Sequence, residues 1–239
     1  MWLVPWHRRI GFGFAVYFLV ALSVFAWKPV FTNASRSIQG IDDPAVAIQL
    51  VRNVEEIDAV LADSPSPDRE VMRIKQYVDF GLIVGYVGLT SVIALAVGRR
   101  WRFAAFGLIA SIVIAGIFDV RENLTILRLV NIPLTEVTPG ILQSMGRNSL
   151  IKWVFMGVSA GLLGVMLLRA PRTKQGRKYL GTAIHLAASI AGPVELLASI
   201  LILIGLRYHP VLIWAGVTSA LGLLLAAATL KVLPYESAA

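Results

Sequence analysis

Asp119, Arg121, Glu122, Asn123 and Arg128 interrupt a run, Ala115-Gly-Ile-Phe-Asp-Val-Arg-Glu-Asn-Leu-Thr-Ile-Leu-Arg-Leu129, that is otherwise apolar enough to cross a bilayer. An ionised side chain at the centre of a membrane helix costs about 2.5–3.5 kcal/mol on insertion scales, so such groups are kept where they pair, act or reach water. On a helix turning ~100° per residue, Asp119, Glu122 and Asn123 fall on one face, while Arg121 and Arg128 lie almost opposite. One helix therefore carries an acidic face and a basic face. Two carboxyl groups held close divide into one protonated and one ionised member, which suits general acid–base chemistry or the uptake and release of a proton.

Three further charges lie in apolar runs: Asp79, Lys152 and Glu195. Counting at ~1.5 Å per residue from the arginine-rich ends puts Glu195 at ~22 Å, Asp119 and Lys152 at ~24 Å, Asp79 and Arg121 at ~27 Å and Glu122 at ~28 Å. The expectation is one polar layer, shared by four helices, in the outer third of the bilayer. The acidic face of residues 115–129 should point at Lys152 and Glu195, and the basic face at Asp79 or at lipid headgroups. Taken singly, Asp79, Asp119 and Lys152 are also compatible with ordinary interfacial charges that snorkel to the surface. Glu195 is harder to place there, because apolar or small residues flank it from Ala187 to Ile200. It must be protonated, paired with a cation or turned to a polar cavity. Gly192-Pro193 just before it predicts a kink, a device that often accompanies ion sites in membrane helices. Ala115-Gly-Ile-Phe-Asp119 and Ala191-Gly-Pro-Val-Glu195 share the pattern Ala-Gly-x-apolar-acid. They read either as two related hairpins, with Asp119 facing Glu195 across a crevice, or as a coincidence of common residues.

The elements that must position these groups follow from composition. Of 239 residues 57% are hydrophobic and 15% are charged, with mean hydropathy +0.74, against roughly 25% charged residues in a soluble domain. The expected fold is an all-α polytopic membrane protein: a bundle of six transmembrane helices at about 10–31, 77–98, 103–130, 150–168, 180–206 and 211–230. A helical extracytoplasmic insert, residues 32–76, separates the first two. The first run follows Trp6-His7-Arg8-Arg9 like the start of a signal peptide, but it is long enough to span and no small-x-small cleavage site follows, so a retained helix is expected. Within the insert, Asp42-Asp43-Pro44 opens a helix, and Leu50, Val54, Ile57 and Leu61 continue it amphipathically until Ser64-Pro-Ser-Pro67 breaks it. Asp68 then begins a helix that enters the membrane. The stripes Gly81-x3-Gly85-x2-Gly88 and Gly157-x3-Gly161-x2-Gly164 are flat faces for close helix packing.

Arg8-Arg9, Arg99-Arg100-x-Arg102, the basic run 169–178 and Lys231 fall on one side if six helices alternate, and the positive-inside rule makes that side cytoplasmic. Both termini are then cytoplasmic, and a bacterial inner (plasma) membrane is the expected location. The formal net charge of +8 is accounted for by these topogenic clusters, so no nucleic-acid partner is expected.

No cofactor and no metal are expected. The chain has no cysteine, His7, His185 and His209 lie at different levels, and Arg121 and Lys152 in the acidic layer argue against a dedicated hard-cation cage. Paired Asp-rich prenyltransferase motifs, desaturase histidine clusters and a Walker sequence are all missing from the chain. Three functions fit the layer of Asp79, Asp119, Arg121, Glu122, Asn123, Lys152 and Glu195. The first is binding or transport of a small solute or ion with proton coupling. The second is a structural or partner-binding role in which the charges are interhelical salt bridges. The third is a membrane-embedded enzyme working on a lipid-soluble substrate with paired carboxylates. Beyond the lipid bilayer, the partner expected is a small solute, ion or lipid.

Overall fold

The computed structural model describes residues 6–27, 31–32, 38, 40–62, 66–98, 101–170 and 180–232. Residues 1–5, Arg99-Arg100, the Ser64-Pro65 break and the basic run 171–178 lie outside them. The described residues form helices α1 (Trp6–Trp27), α2 (Pro44–Ala47), α3 (Val54–Leu61), α4 (Pro67–Val97), α5 (Arg102–Val130), α6 (Pro139–Arg169), α7 (Leu180–Gly205), α8 (Val211–Ala227) and α9 (Thr229–Val232). Among the described residues no strand is found beyond an isolated bridge between Ile38 and Ile41. Six of the helices are long and apolar enough to cross a membrane, and the chain is an all-α polytopic bundle.

Local chemistry sets the helix ends. Pro67 and Pro139 occupy first-turn positions, where the missing N–H costs nothing. Ser66 caps α4 by accepting from the Asp68 N–H at 3.3 Å. Two spans are longer on the insert side than their apolar runs predict. α4 begins at Pro67 and α6 at Pro139, so much of the expected loop 131–149 is helix, because Ile141, Leu142 and Met145 bury one face of that extra stretch. Phe31, near the expected end of the first helix, packs its ring into the insert core.

The insert also departs from the expected single amphipathic helix. Asp43 caps a one-turn α2 through the Ala45 and Val46 N–H groups, at 2.8 and 3.3 Å, and a 3-10 turn follows at Ile48–Leu50. The chain then extends at Val51 and restarts at α3. There the Asn53 side chain accepts from the Glu56 N–H at 2.8 Å while the Glu56 carboxylate accepts from the Arg52 N–H at 2.6 Å. This reciprocal cap satisfies two backbone donors and is why the helix breaks at Asn53. Ile48, Ile57, Val60 and Leu61 are fully buried against Met72, Ile126, Leu129 and Met145. At ~1.5–3 kcal/mol for each buried aliphatic side chain, the insert is a packed cap on the ends of α4, α5 and α6.

The spanning helices pack in chain order, α1 on α4, then α5, α6, α7 and α8, and α8 returns to α1 and α4. The glycine stripes are where helices come closest. A Cβ at Gly85 would lie 3.1 Å from Phe18 Cα of α1, and one at Gly164 would lie 3.0 Å from the Gly192 carbonyl oxygen of α7. Ser199 of α7 adds a hydrogen bond to the Gly157 carbonyl at 2.9 Å. Outward-facing apolar side chains such as Phe103, Phe106, Leu203 and Trp214 are exposed as lipid-facing residues are. At the end away from the insert, Arg169 lies over the Trp101 ring and Lys231 over the Phe12 ring.

Candidate functional site

Asp119, Glu122 and Asn123 sit on the buried face of α5, as their spacing requires, and α6 brings Lys152 to meet them. The Lys152 ammonium lies 2.6 Å from Glu122 Oε1 and 3.1 Å from Asp119 Oδ1. From α4, the Tyr86 hydroxyl donates to Asp119 Oδ2 at 3.0 Å, while Asp79 Oδ2 accepts from the Asn123 amide at 2.7 Å. Asp119, Glu122, Asn123 and Lys152 are almost fully buried. Lys152 thus pairs with two carboxyl groups of α5, and Asp79 of α4 is tied to them through Asn123. Lys152 balances one negative charge, and any further ionised carboxylate there needs a proton, a second cation or water, because unpaired charge in a low-dielectric interior is costly.

The insert closes this group from above. The Gln49 side-chain oxygen accepts from Ser149 Oγ at 3.4 Å, Lys152 Nζ at 3.3 Å and Trp153 Nε1 at 3.3 Å, and its amide donates back to the Ala45 carbonyl at 3.2 Å. On the other side of Gln49 is a cavity of about 440 Å³, walled by the insert, α6 and the α7–α8 turn. Gln49, Ser149 and Trp153 line that cavity and also touch one another or Lys152, so they form the partition between the cavity and the charged group. His209, at the α7–α8 turn, lines it too, and partial burial together with the neighbouring Arg52 guanidinium holds its imidazole below the ordinary histidine range.

Glu195 does not join the layer as expected. It is 2% exposed and lines a separate cavity of about 80 Å³ inside the bundle, with Thr90, Ser159 and Ser219 among the other walls. Its Oε1 has no hydrogen-bond partner among the described residues. A Cβ at Gly222 of α8 would lie 2.8 Å from that oxygen, so the glycine makes the room for the carboxyl. The physical reason for the mismatch is lateral: depth along a helix says nothing about azimuth, and α7 turns Glu195 towards α8 rather than α5. Tyr86 spans the gap, since it lines this cavity while its hydroxyl binds Asp119.

Arg121 also departs from the layer. It is exposed, with its guanidinium 5.4 Å from the Phe118 ring centroid, and Asp79 bonds to the acidic face rather than to the basic one. The Ala-Gly pairs of the suspected repeat occupy corresponding crossings. Gly116 of α5 lies against Val87 of α4, and Gly192 of α7 lies against Gly164 of α6. The acids that follow them end in different surroundings. α7 remains helical through Pro193. No family model, curated protein or solved structure matches this chain. Among the described residues no three histidine, aspartate or glutamate side chains converge as a metal site requires.

Tyr86 and Gln49 are the members that the sequence reading missed. Tyr86 carried a signal, lying two helical turns from Asp79 on the same face of α4. Gln49 carried none, because its partners are about a hundred residues away: 100 to Ser149, 103 to Lys152 and 104 to Trp153.

Proposed function

We propose that this integral membrane protein binds a small solute or ion at the insert side of the bilayer and couples its movement to protons held by the buried carboxyl groups. The insert side is taken as extracytoplasmic, following the arginine-rich sequence clusters Arg8-Arg9, 99–102 and 169–178, which alternation of six spans puts at the opposite end. One observation carries the reading: a chain of polar contacts in an apolar bundle. It runs from the 440 Å³ cavity through Gln49 to Lys152, Glu122, Asp119 and Tyr86, and Tyr86 also lines the cavity that holds Glu195. Groups so costly to bury are retained in membrane proteins chiefly along substrate and proton paths. In this reading Lys152 competes with solute or proton for Glu122 and Asp119, and Glu195, with no partner of its own on Oε1, takes and releases the proton.

The test is proton flux in proteoliposomes, read with a pH-sensitive dye inside the vesicles while sodium, amino acids and short carboxylates are added in turn. Asp119→Asn and Glu195→Gln are expected to lower the coupled flux at least tenfold while the protein still folds, and Tyr86→Phe to lower it less. Wild-type flux in both acid variants would sink the reading. A structural role is favoured by one specific feature, the Lys152 ion pairs that tie α5 to α6. It predicts no solute-linked flux in the wild-type protein, and a loss of thermal stability in variants of the ion-paired residues.

A further inference from the structure

The 440 Å³ cavity at the insert face has a composition unlike that of the charged group beneath it. Arg52, Arg147 and His209 line it, and no aspartate or glutamate does. Both guanidinium groups belong to exposed residues, and among the described residues neither is paired with a carboxylate. The rest of the wall is largely apolar, with Leu142, Leu150 and Trp153 on the α6 side. The volume lies within the ~300–1,000 Å³ of small-molecule sites. We propose that this cavity is a binding site for an anion carrying a short apolar chain, a carboxylate or phosphate amphiphile whose head lies between Arg52 and Arg147 and whose chain lies along α6.

The chemistry supports that class of ligand over a neutral or cationic one. A guanidinium presents a planar fork of donors that matches carboxylate and phosphate oxygens, and two forks at one mouth repel a cation. The leucines and Trp153 reward an apolar chain that a bare anion lacks. At the cavity floor, Ser149 Oγ and Trp153 Nε1 are taken up by the Gln49 oxygen, which leaves the two arginines as the donors for an anionic head. The site rests on residues other than the buried acids, so it stands whether or not those acids carry protons across the membrane.

The experiment uses the full chain in phosphatidylcholine nanodiscs, titrated calorimetrically with hexyl phosphate and hexanoate, and with hexanol and inorganic phosphate for comparison. Hexyl phosphate is expected to bind saturably and at least tenfold more tightly than hexanol or inorganic phosphate. The double variant Arg52→Gln/Arg147→Gln should lose at least tenfold in affinity with the ligand-free melting temperature unchanged, since both side chains are exposed. Asp119→Asn and Glu195→Gln should bind hexyl phosphate as the wild type does, which separates this site from the proton pathway. Replacing the disc lipid by phosphatidylglycerol identifies the source of the anion: competition assigns the cavity to a lipid headgroup, and undiminished binding assigns it to a soluble amphiphile. Equal affinity for hexanol and hexyl phosphate, or unchanged binding by the arginine double variant, would overturn the proposal.

Discussion

Lys152 reaches two carboxylates at once, Glu122 at 2.6 Å and Asp119 at 3.1 Å, from a side chain that is about 5% exposed. Burying such a group is repaid only while all partners are present, and removing one partner of a buried ion pair typically costs about 3–5 kcal/mol because the remaining charge is stranded. Lys152→Met is therefore expected to lower the melting temperature in detergent sharply, whereas Lys152→Met combined with Asp119→Asn and Glu122→Gln should recover most of the loss. A single variant as stable as wild type would show that the ion group carries no structural weight. The carboxyls of α5 were evident from their spacing, and Lys152 and Glu195 were both expected opposite them. That Lys152 serves Glu122 and Asp119, and that Glu195 stays apart from all three, depends on how α6 and α7 are rotated about their axes.

At the scale of elements, the insert is held by a residue that drew no notice as a charge. Arg69, 2% exposed at the start of α4, donates from Nε to the Ala62 carbonyl at 2.9 Å, and from Nη1 to the Ile132 carbonyl at 2.8 Å and the Leu129 carbonyl at 3.4 Å. Ala62 sits at positive φ where α3 ends, and Leu129 and Ile132 flank the end of α5, whose carbonyls favour a cation. One guanidinium thus joins the ends of α3, α4 and α5. Hydrogen bonds to charged groups contribute ~1.5–3 kcal/mol, so Arg69→Ala should raise amide hydrogen exchange in α3 and around residues 129–132 by tenfold or more while leaving α7 and α8 unchanged. Exchange that rises uniformly, or not at all, would contradict this role. Asp68 beside it accepts from the Thr32 N–H and hydroxyl at 2.7 and 2.8 Å, which anchors the other end of the insert. The heptad-like pattern of the insert was readable in the sequence. The break at Asn53 was not, because an apolar stripe does not register a side chain that caps a new helix.

For the whole molecule, the sequence clusters Arg8-Arg9, 99–102 and 169–178 predict an orientation that chemical labelling can test. The chain contains no cysteine, so single cysteines can be introduced against a silent background. Glu55→Cys on the insert and Arg102→Cys at the opposite end replace exposed residues. Glu55→Cys is expected to react with a membrane-impermeant maleimide in intact spheroplasts, and Arg102→Cys only after permeabilisation. The reverse pattern would invert the topology and place the 440 Å³ cavity on the cytoplasmic side.

Composition and periodicity by themselves determined the class of the protein, its six spans, the capped insert and the acidic face of α5, because all of these are properties of a single helix or of its exchange between water and hydrocarbon. Depth was also countable, since rise per residue is fixed. What only the tertiary structure decided was azimuth and long-range meeting: Gln49 over Lys152, Tyr86 between Asp119 and the Glu195 cavity, and two arginines at the mouth of one cavity from segments nearly a hundred residues apart. Residues 115–129 carry the acids of the site, but the packing of α4, α6 and the insert around α5 selects the partners of those acids.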